Sequence, residues 1–252
     1  MDVVRSEFLP DASASRTAME ALQHDVAAAA SFEDEFAFDA ARVGRPEGPL
    51  VAGVDQAFLD DHAVSAVVVL RGDEVVERSY AVTPLEIPYV PGLLSFREGG
   101  PIVDALRELE SDPDLVLFDG SGRIHYREAG LATHMGVVFD VPAVGVAKNL
   151  LCGSPERDVD DLAEGECVPV LANGDVTAPD GEVIGYAVQS RQYDSGRQSI
   201  NPLWVSPGHR VSATTAADVV LATTAGYKLP EPTRLADAYA DEAKREVEGG
   251  EE

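Results

Sequence analysis

The chain has 252 residues, 45% of them hydrophobic, which suits a globular fold of one large or two small domains. Its formal net charge is −26, from 45 Asp and Glu against 19 Lys and Arg, and such a chain ordinarily avoids polyanions. No apolar run reaches the roughly 18 residues of a membrane span. The N-terminus lacks a basic region followed by an apolar stretch, so we expect neither a membrane segment nor a secretory signal.

The charge has a second interpretation, which is adaptation to salt. Only three of the basic residues are lysines, namely Lys148, Lys228 and Lys244. In molar salt the Debye length is about 3 Å, so self-repulsion is screened and an acidic surface retains water. We therefore hypothesise a halophilic source, in which case the net charge says little about the ligand.

The two cysteines, Cys152 and Cys167, are too few for a disulfide framework and lack zinc-type spacing. A single disulfide is one alternative. We expect instead two reduced thiols in a cytoplasmic protein.

The first half of the chain predicts a helix followed by three strands. The helix, expected over 19–38, ends at a Gly- and Pro-rich cluster. A short apolar strand then closes on Asp55, and Gly72-Asp73 is a hairpin signal between two β-rich runs. The strands are expected at 49–58, 63–72 and 74–85.

Helices and strands alternate after a proline-braced loop. A helix stopped by Pro113 precedes a fully apolar strand that ends at Asp119-Gly120, and a buried strand of this kind suits a parallel sheet. Residues 152–200 are more polar, with turn signals at Asn173-Gly174 and Asp180-Gly181. The other predicted elements are helices at 96–111, 127–140, 212–226 (N-cap Ser212) and from Pro232-Thr233, and strands at 115–122, 142–151 (running into a helix start) and 202–209.

This order predicts an α/β fold with a mixed sheet flanked by helices. Three hairpin-joined strands followed by alternating helix and parallel strand is the order of a ribonuclease H-like sheet. We expect a flexible N-terminal extension at 1–20, a single domain at 21–240 and a solvated acidic tail at 241–252.

Acidic residues follow two of the predicted strands. If the strands of Asp55 and Asp119 are parallel neighbours, both carboxylates emerge at one edge of the sheet, with Glu98 at the start of the intervening helix. Three hard oxygen ligands suit Mg²⁺ or Mn²⁺, which can activate water for phosphodiester hydrolysis. The alternative is that the aspartates only cap turns.

Five ordered stretches give a specific resemblance. The stretches AGVDQAF (52–58), PYVPGLLSFRE (88–98), the run from VLFDGSG to AKNLL (116–151), VSPGHRVS (205–212) and YKLPEPTRLAD (227–237) resemble the endonuclease V family. The resemblance implies a ribonuclease H-like fold and a DNA repair activity. It further implies Mg²⁺-dependent nicking, with Mn²⁺ as a substitute, at the second phosphodiester bond 3′ to deoxyinosine, leaving 3′-hydroxyl and 5′-phosphate ends.

The resemblance also implies roles for individual residues. Asp55, Glu98 and Asp119 match the family's metal-binding acids, Asp237 matches a fourth catalytic position, and Lys148 matches a lysine near the scissile phosphate. A wedge that enters the duplex corresponds to residues 88–91, and backbone glycines form a base pocket. The implied substrate-binding residues are Pro88, Tyr89, Val90, Pro91, Gly92, Leu93, His125, Gly130, Ala132, His134 and Gly136.

The chain departs from the family where His-Pro-Arg is usual, since it has His125-Tyr126-Arg127, and the segment 190–201 is long. Two alternatives stay open: an endoribonuclease specific for inosine in RNA, and a non-catalytic nucleic-acid-binding domain. The expected partner is damaged DNA, with single-stranded DNA or inosine-containing RNA as further candidates. We expect a cytoplasmic monomer.

Overall fold

The computed structural model of the chain describes residues 1–193 and 199–249 and contains one nine-stranded sheet. Numbered along the chain, the strands are β1 (Leu50–Phe58), β2 (His62–Arg71), β3 (Glu74–Pro84), β4 (Leu115–Asp119), β5 (Ala143–Ala147), β6 (Ser154–Pro155), β7 (Cys167–Leu171), β8 (Val183–Val188) and β9 (Leu203–His209). Their order across the sheet is β3-β2-β1-β4-β5-β9-β8-β7-β6.

The helices lie on both faces of this sheet. They are α1 (Arg16–Ala29), α2 (Leu94–Arg107), α3 (Leu131–Phe139), α4 (Ala213–Ala222) and α5 (Glu231–Gly249), with short 3-10 helices at Ser6–Phe8 and Ala40–Arg42.

The strand pairing confirms the predicted mixed sheet. β1, β2 and β3 pair antiparallel, whereas β1, β4 and β5 are parallel neighbours. β9 pairs antiparallel with β5, and the sheet is completed by β8, β7 and β6, each antiparallel to its neighbour. Three hairpin-joined strands that lead into a parallel centre make this a ribonuclease H-like α/β fold.

Alternate residues of the central strands build two cores. Phe118 of β4 packs toward α2 and α3, and its neighbour Leu117 faces the opposite core beside α4. On the outer strands, α5 packs through small residues against β1 and β2. Gly53 of β1 is required there, because a Cβ on it would lie 2.0 Å from the carbonyl carbon of Pro232.

Several predicted boundaries were wrong. α1 stops at Ala29 rather than at residue 38. β1 spans Leu50–Phe58, close to the predicted 49–58, but Asp55 lies inside the strand rather than at its end. α2 begins at Leu94 and ends at Arg107, well before Pro113, and in the described part of the chain β5 leads to β6 without the helix start expected after it. In contrast, Ser212 is the predicted N-cap, since its side chain accepts a hydrogen bond from the amide of Thr215.

The chain ends are more ordered than the sequence predicts. The Met1 ammonium donates hydrogen bonds to the carbonyls of Leu106 (3.1 Å) and Leu109 (3.0 Å). Apolar side chains near the start, including Phe8, pack on the core beneath α2 and α3, so these residues are not a solvated extension. At the other end α5 continues to Gly249, which replaces most of the expected tail, and residues 250–252 lie outside the described residues.

Two other sequence predictions concern cysteines and membranes. Cys152 and Cys167 are both free thiols, as expected. Of the helices in the described ranges, none is long and apolar enough to cross a membrane.

Candidate active site

A cavity of about 520 Å³ lies at the carboxyl ends of the parallel strands. It is lined by residues of β1, β4, α2 and α5 and of the segment after β5. The predicted acidic and basic residues that line it are Asp55, Glu98, Asp119, Lys148 and Asp237.

The sheet register explains why two of these acids are neighbours. The last parallel pair between β1 and β4 is Val54 with Phe118, so Asp55 and Asp119 each follow this pair by one residue. Both carboxylates therefore emerge at one edge, as the sequence predicts. Glu98 comes from the second turn of α2, and Asp237 lies on an exposed turn of α5.

Burial and mutual repulsion destabilise the ionised forms of two carboxyls. Burial, followed by the charge of Asp119, raises the pKa of Asp55 to about 8 against the opposing effect of the Gln56 amide. The Oδ2 atom of Asp55 is buried without a hydrogen-bond partner. Burial raises the pKa of Glu98 to about 7, although the neighbouring Arg97 lowers it.

Cationic side chains contact the other carboxylate oxygens. Lys148 Nζ donates to Asp119 Oδ2 at 2.9 Å, and Arg97 Nη1 lies 3.3 Å from Glu98 Oε1. Burial opposes the charge of Lys148, but its hydrogen bond to Asp119 and the surrounding carboxylates raise the pKa of this lysine overall. Lys148 thus stays protonated beside the acids.

The donor set fits a divalent cation, although the tight convergence expected from the sequence is not seen. Within residues 1–193 and 199–249, no three His, Cys, Asp or Glu side chains are arranged to hold a metal ion. Asp55, Glu98 and Asp119 nevertheless share one cavity. Hard carboxylate oxygens, an unpartnered buried Oδ2 and raised carboxyl pKa values are what a bound Mg²⁺ or Mn²⁺ would compensate.

The proline-braced segment, which we call the Tyr89 loop (residues 88–93), lies at the mouth of this cavity. Tyr89 is 62% exposed and lines the cavity, and Pro88 and Pro91 are also exposed. Gly92 adopts φ +78°, a conformation that favours glycine, and it faces the cavity. Leu93, in contrast, is buried, and Val90 is half-buried against the same apolar cluster, so Leu93 offers no free surface and Val90 only part of its own.

Three residues expected at the substrate site do not reach it. Ala132, His134 and Gly136 belong to α3, which is buried on every side. His134 Nε2 bonds the Phe8 carbonyl at 2.7 Å, and a Cβ on Gly136 would meet side-chain atoms of neighbouring residues within 2.8 Å. Their positions are set by core packing, whereas Gly130, just before the helix, does line the cavity.

Most of the chain matches a known protein family. A sequence model described as Endonuclease V matches residues 38–238. The chain belongs to the endonuclease V family. It is 63% identical to Endonuclease V of Haloarcula marismortui and 64% identical to that of Natronomonas pharaonis, each over 97% of this chain and 98% of the relative. These relatives come from halophilic archaea, in agreement with the halophilic source that the composition predicts.

Solved structures of endonuclease V share the fold. The protein from Streptomyces avermitilis is 33% identical, with a TM-score of 0.77 over 98% of this chain and 99% of that one. Endonuclease V of Ciona intestinalis, in complex with a 24mer DNA containing an inosine followed by a ribo-adenosine, is 24% identical, with a TM-score of 0.73 over 92% and 98%.

Sequence reasoning missed several residues of this endonuclease V cavity. Gln23 of α1, Gln56 and Phe58 of β1 and Ser95 of α2 all line it. Gln56 and Phe58 lie within the predicted strand 49–58, but they come after Asp55, where the strand was expected to close. Gln23 gave no local signal, because a glutamine in an alanine-rich helix has the pattern of a surface residue.

Proposed function

We propose that the protein is a Mg²⁺-dependent DNA repair endonuclease that nicks at the second phosphodiester bond 3′ to deoxyinosine. The products would carry 3′-hydroxyl and 5′-phosphate ends. The observation that supports this best is that the buried acids, Lys148 and the exposed Tyr89 line one cavity. The inosine-containing DNA bound by the Ciona protein supports the choice of lesion.

The acids and the lysine have complementary roles at the scissile phosphate. Asp55, Glu98 and Asp119 would hold the cation, which when bound activates water and offsets charge on the departing oxygen. Lys148 is held by Asp119 at 2.9 Å, so its ammonium is fixed where a phosphate oxygen would gain negative charge. Asp237 is exposed at the rim, where it can accept a proton from an entering water.

The Tyr89 loop, together with Gly92 and Gly130, would recognise the lesion. Tyr89 projects into solvent between two prolines that restrict the backbone, so insertion beside a base costs little conformational entropy. Its ring can replace the stacking of the extruded base. Gly92 and Gly130 line the cavity without side chains, so an extruded base would meet no side chain at these two positions.

One assay tests the proposal and its alternatives. Matched DNA and RNA oligonucleotides, each with one inosine or one adenosine, are incubated with the protein in molar KCl with Mg²⁺, Mn²⁺ or EDTA. We expect a single metal-dependent nick in the inosine DNA, and end-labelling identifies the bond and its termini. Preferential cutting of the RNA would make the protein an inosine endoribonuclease. Lesion binding without cutting would indicate that the protein is a non-catalytic nucleic-acid-binding domain.

We further propose that the protein acts as a monomer in the cytoplasm. Sedimentation equilibrium in molar KCl should return the mass of one chain, 26.7 kDa. A concentration-dependent mass near twice this value would contradict a monomer.

A further inference from the structure

The Tyr89 loop rests on α1, a helix that precedes the residues matched by the family model. Apolar side chains of the loop and its flanks point toward this helix rather than toward the cavity. This packing explains why a solvent-facing loop is so apolar. The cluster consists of Met19, Leu93 and Phe96, with Ile87 and Val90 packed at its margin.

A polar contact lies one turn further along α1. Gln23 is 1% exposed, and its Nε2 donates a hydrogen bond of 2.8 Å to the carbonyl of Gly92. His125 Nε2 contacts the same carbonyl at 3.1 Å. The Nδ1 atom of His125 accepts from the amide of Arg127 at 3.2 Å, so Nε2 carries the proton and is the donor. Two side-chain donors therefore hold this one carbonyl.

The far side of the Gln23 amide is also paired. Its Oε1 accepts from Arg127 Nη1 at 3.2 Å, and Arg127 in turn forms an ion pair with Glu20, three residues earlier on α1. A buried amide with unpaired groups is costly, whereas a fully paired one has a fixed orientation. An apolar side chain could fill the same space. What the glutamine adds is a hydrogen bond of fixed direction from its N–H group to the Gly92 carbonyl.

The Gly92 carbonyl lies where a hydrogen bond can set the orientation of the Tyr89 loop. It lies three residues after Tyr89, and the chain enters α2, which carries Glu98, two residues later. Gly92 has φ +78°, which glycine adopts without strain, and the N–H of the same peptide group, that of Leu93, donates to the Val90 carbonyl at 3.0 Å. The turn therefore holds the N–H side of this peptide plane, and Gln23 and His125 hold its carbonyl side.

We infer that Gln23 is a positioning residue for lesion recognition, which holds the Gly92 carbonyl and thereby orients the Tyr89 loop over the cavity. The inference rests on the proposed function. It assigns a part in recognition to α1, outside the matched residues 38–238. Gln23 acts through Gly92 and does not contact the reacting phosphate.

Three variants separate positioning from stability. Gln23→Met keeps the volume and removes both hydrogen bonds, and Gln23→Glu keeps an acceptor for Arg127 but has no donor for Gly92. Val26→Ala is the matched control, because Val26 is buried one turn later on α1 against Ala129 and Val137, away from the loop. It should lower the melting temperature without changing recognition.

Affinity is measured on inosine and adenosine duplexes in an Asp119→Asn background that prevents cutting. For both Gln23 variants we expect the Kd of the inosine duplex to rise about tenfold, which corresponds to one lost hydrogen bond, with an unchanged Kd for the adenosine duplex. In the uncombined variants, the cleavage rate at saturating substrate should stay near that of the wild type. Wild-type affinity in Gln23→Met would overturn the inference, because that side chain has no donor for the Gly92 carbonyl.

Hydrogen exchange gives a readout that needs no substrate. Amides of residues 85–94 should exchange faster in both Gln23 variants than in the wild type and in Val26→Ala. Equal exchange in all four proteins would overturn the positioning role, even if the wild type cuts inosine DNA as proposed. If the wild type shows no preference for inosine, the proposed function fails first and the inference falls with it.

Discussion

Replacing Tyr89 with alanine should affect binding and stability very differently. The side chain is 62% exposed, so its removal takes little from the core, and the free energy of unfolding should change by less than about 0.5 kcal/mol. Stacking of an aromatic ring on a base is worth about 1–3 kcal/mol. The Kd for an inosine duplex should therefore rise about 5- to 150-fold.

The matched control is Leu93→Ala, in the same loop. Leu93 is 5% exposed and packs on Met19 and Phe96, so a cavity there should cost about 2–5 kcal/mol and lower the melting temperature by several degrees. Both variants are compared by thermal unfolding in molar KCl and by fluorescence anisotropy in the Asp119→Asn background. The wedge assignment is refuted if Tyr89→Ala binds like the wild type, or if it loses as much stability as Leu93→Ala.

Three further predictions follow from charge and protonation. Asp119→Asn should lower single-turnover cleavage at least about 100-fold while lesion binding is partly retained, and near-normal cutting would remove Asp119 from the catalytic group. Because the net charge is −26, the urea midpoint should rise steadily as KCl is raised to molar levels, and equal stability in dilute buffer would contradict salt adaptation. Burial lowers the pKa of His209 from 6.5, so this group contributes stability that is lost as pH falls below 6.5, whereas the raised pKa values of Asp55 and Glu98 act in the opposite direction. The urea midpoint of the wild type should therefore fall relative to that of His209→Gln as pH is lowered below 6.5, and a difference that stays constant with pH would contradict this.

The acidic part of the site could be predicted because two local signals agreed. A buried apolar strand ending in aspartate is visible in the sequence, and parallel pairing then brings Asp55 and Asp119 to one edge. The place of Asp55 within β1 was less visible: the strand was predicted at 49–58 but expected to close on Asp55, so Gln56 and Phe58, which lie on one face of the strand, were not recognised as part of the site. Asp55 reaches the carboxyl edge of the sheet although it is not the last residue of its strand.

The base pocket was harder to predict for a physical reason. α3 is apolar and buried all around, so its sequence gives no periodicity that separates a cavity face from a core face. His134 therefore looked available, although its Nε2 bonds the Phe8 carbonyl. That contact joins residues 126 positions apart, and no local pattern could reveal it.

The charge of the chain and that of its proposed substrate make loop positioning unusually important. In molar salt, screening removes most long-range repulsion, but it also weakens the counterion release that ordinarily drives DNA binding. Affinity must then come from short-range contacts, and the structure offers an exposed ring at Tyr89 beside the cavity. Such contacts depend on position rather than on charge. A neutral clamp such as Gln23 on the Gly92 carbonyl is insensitive to salt, which a lysine–phosphate contact is not.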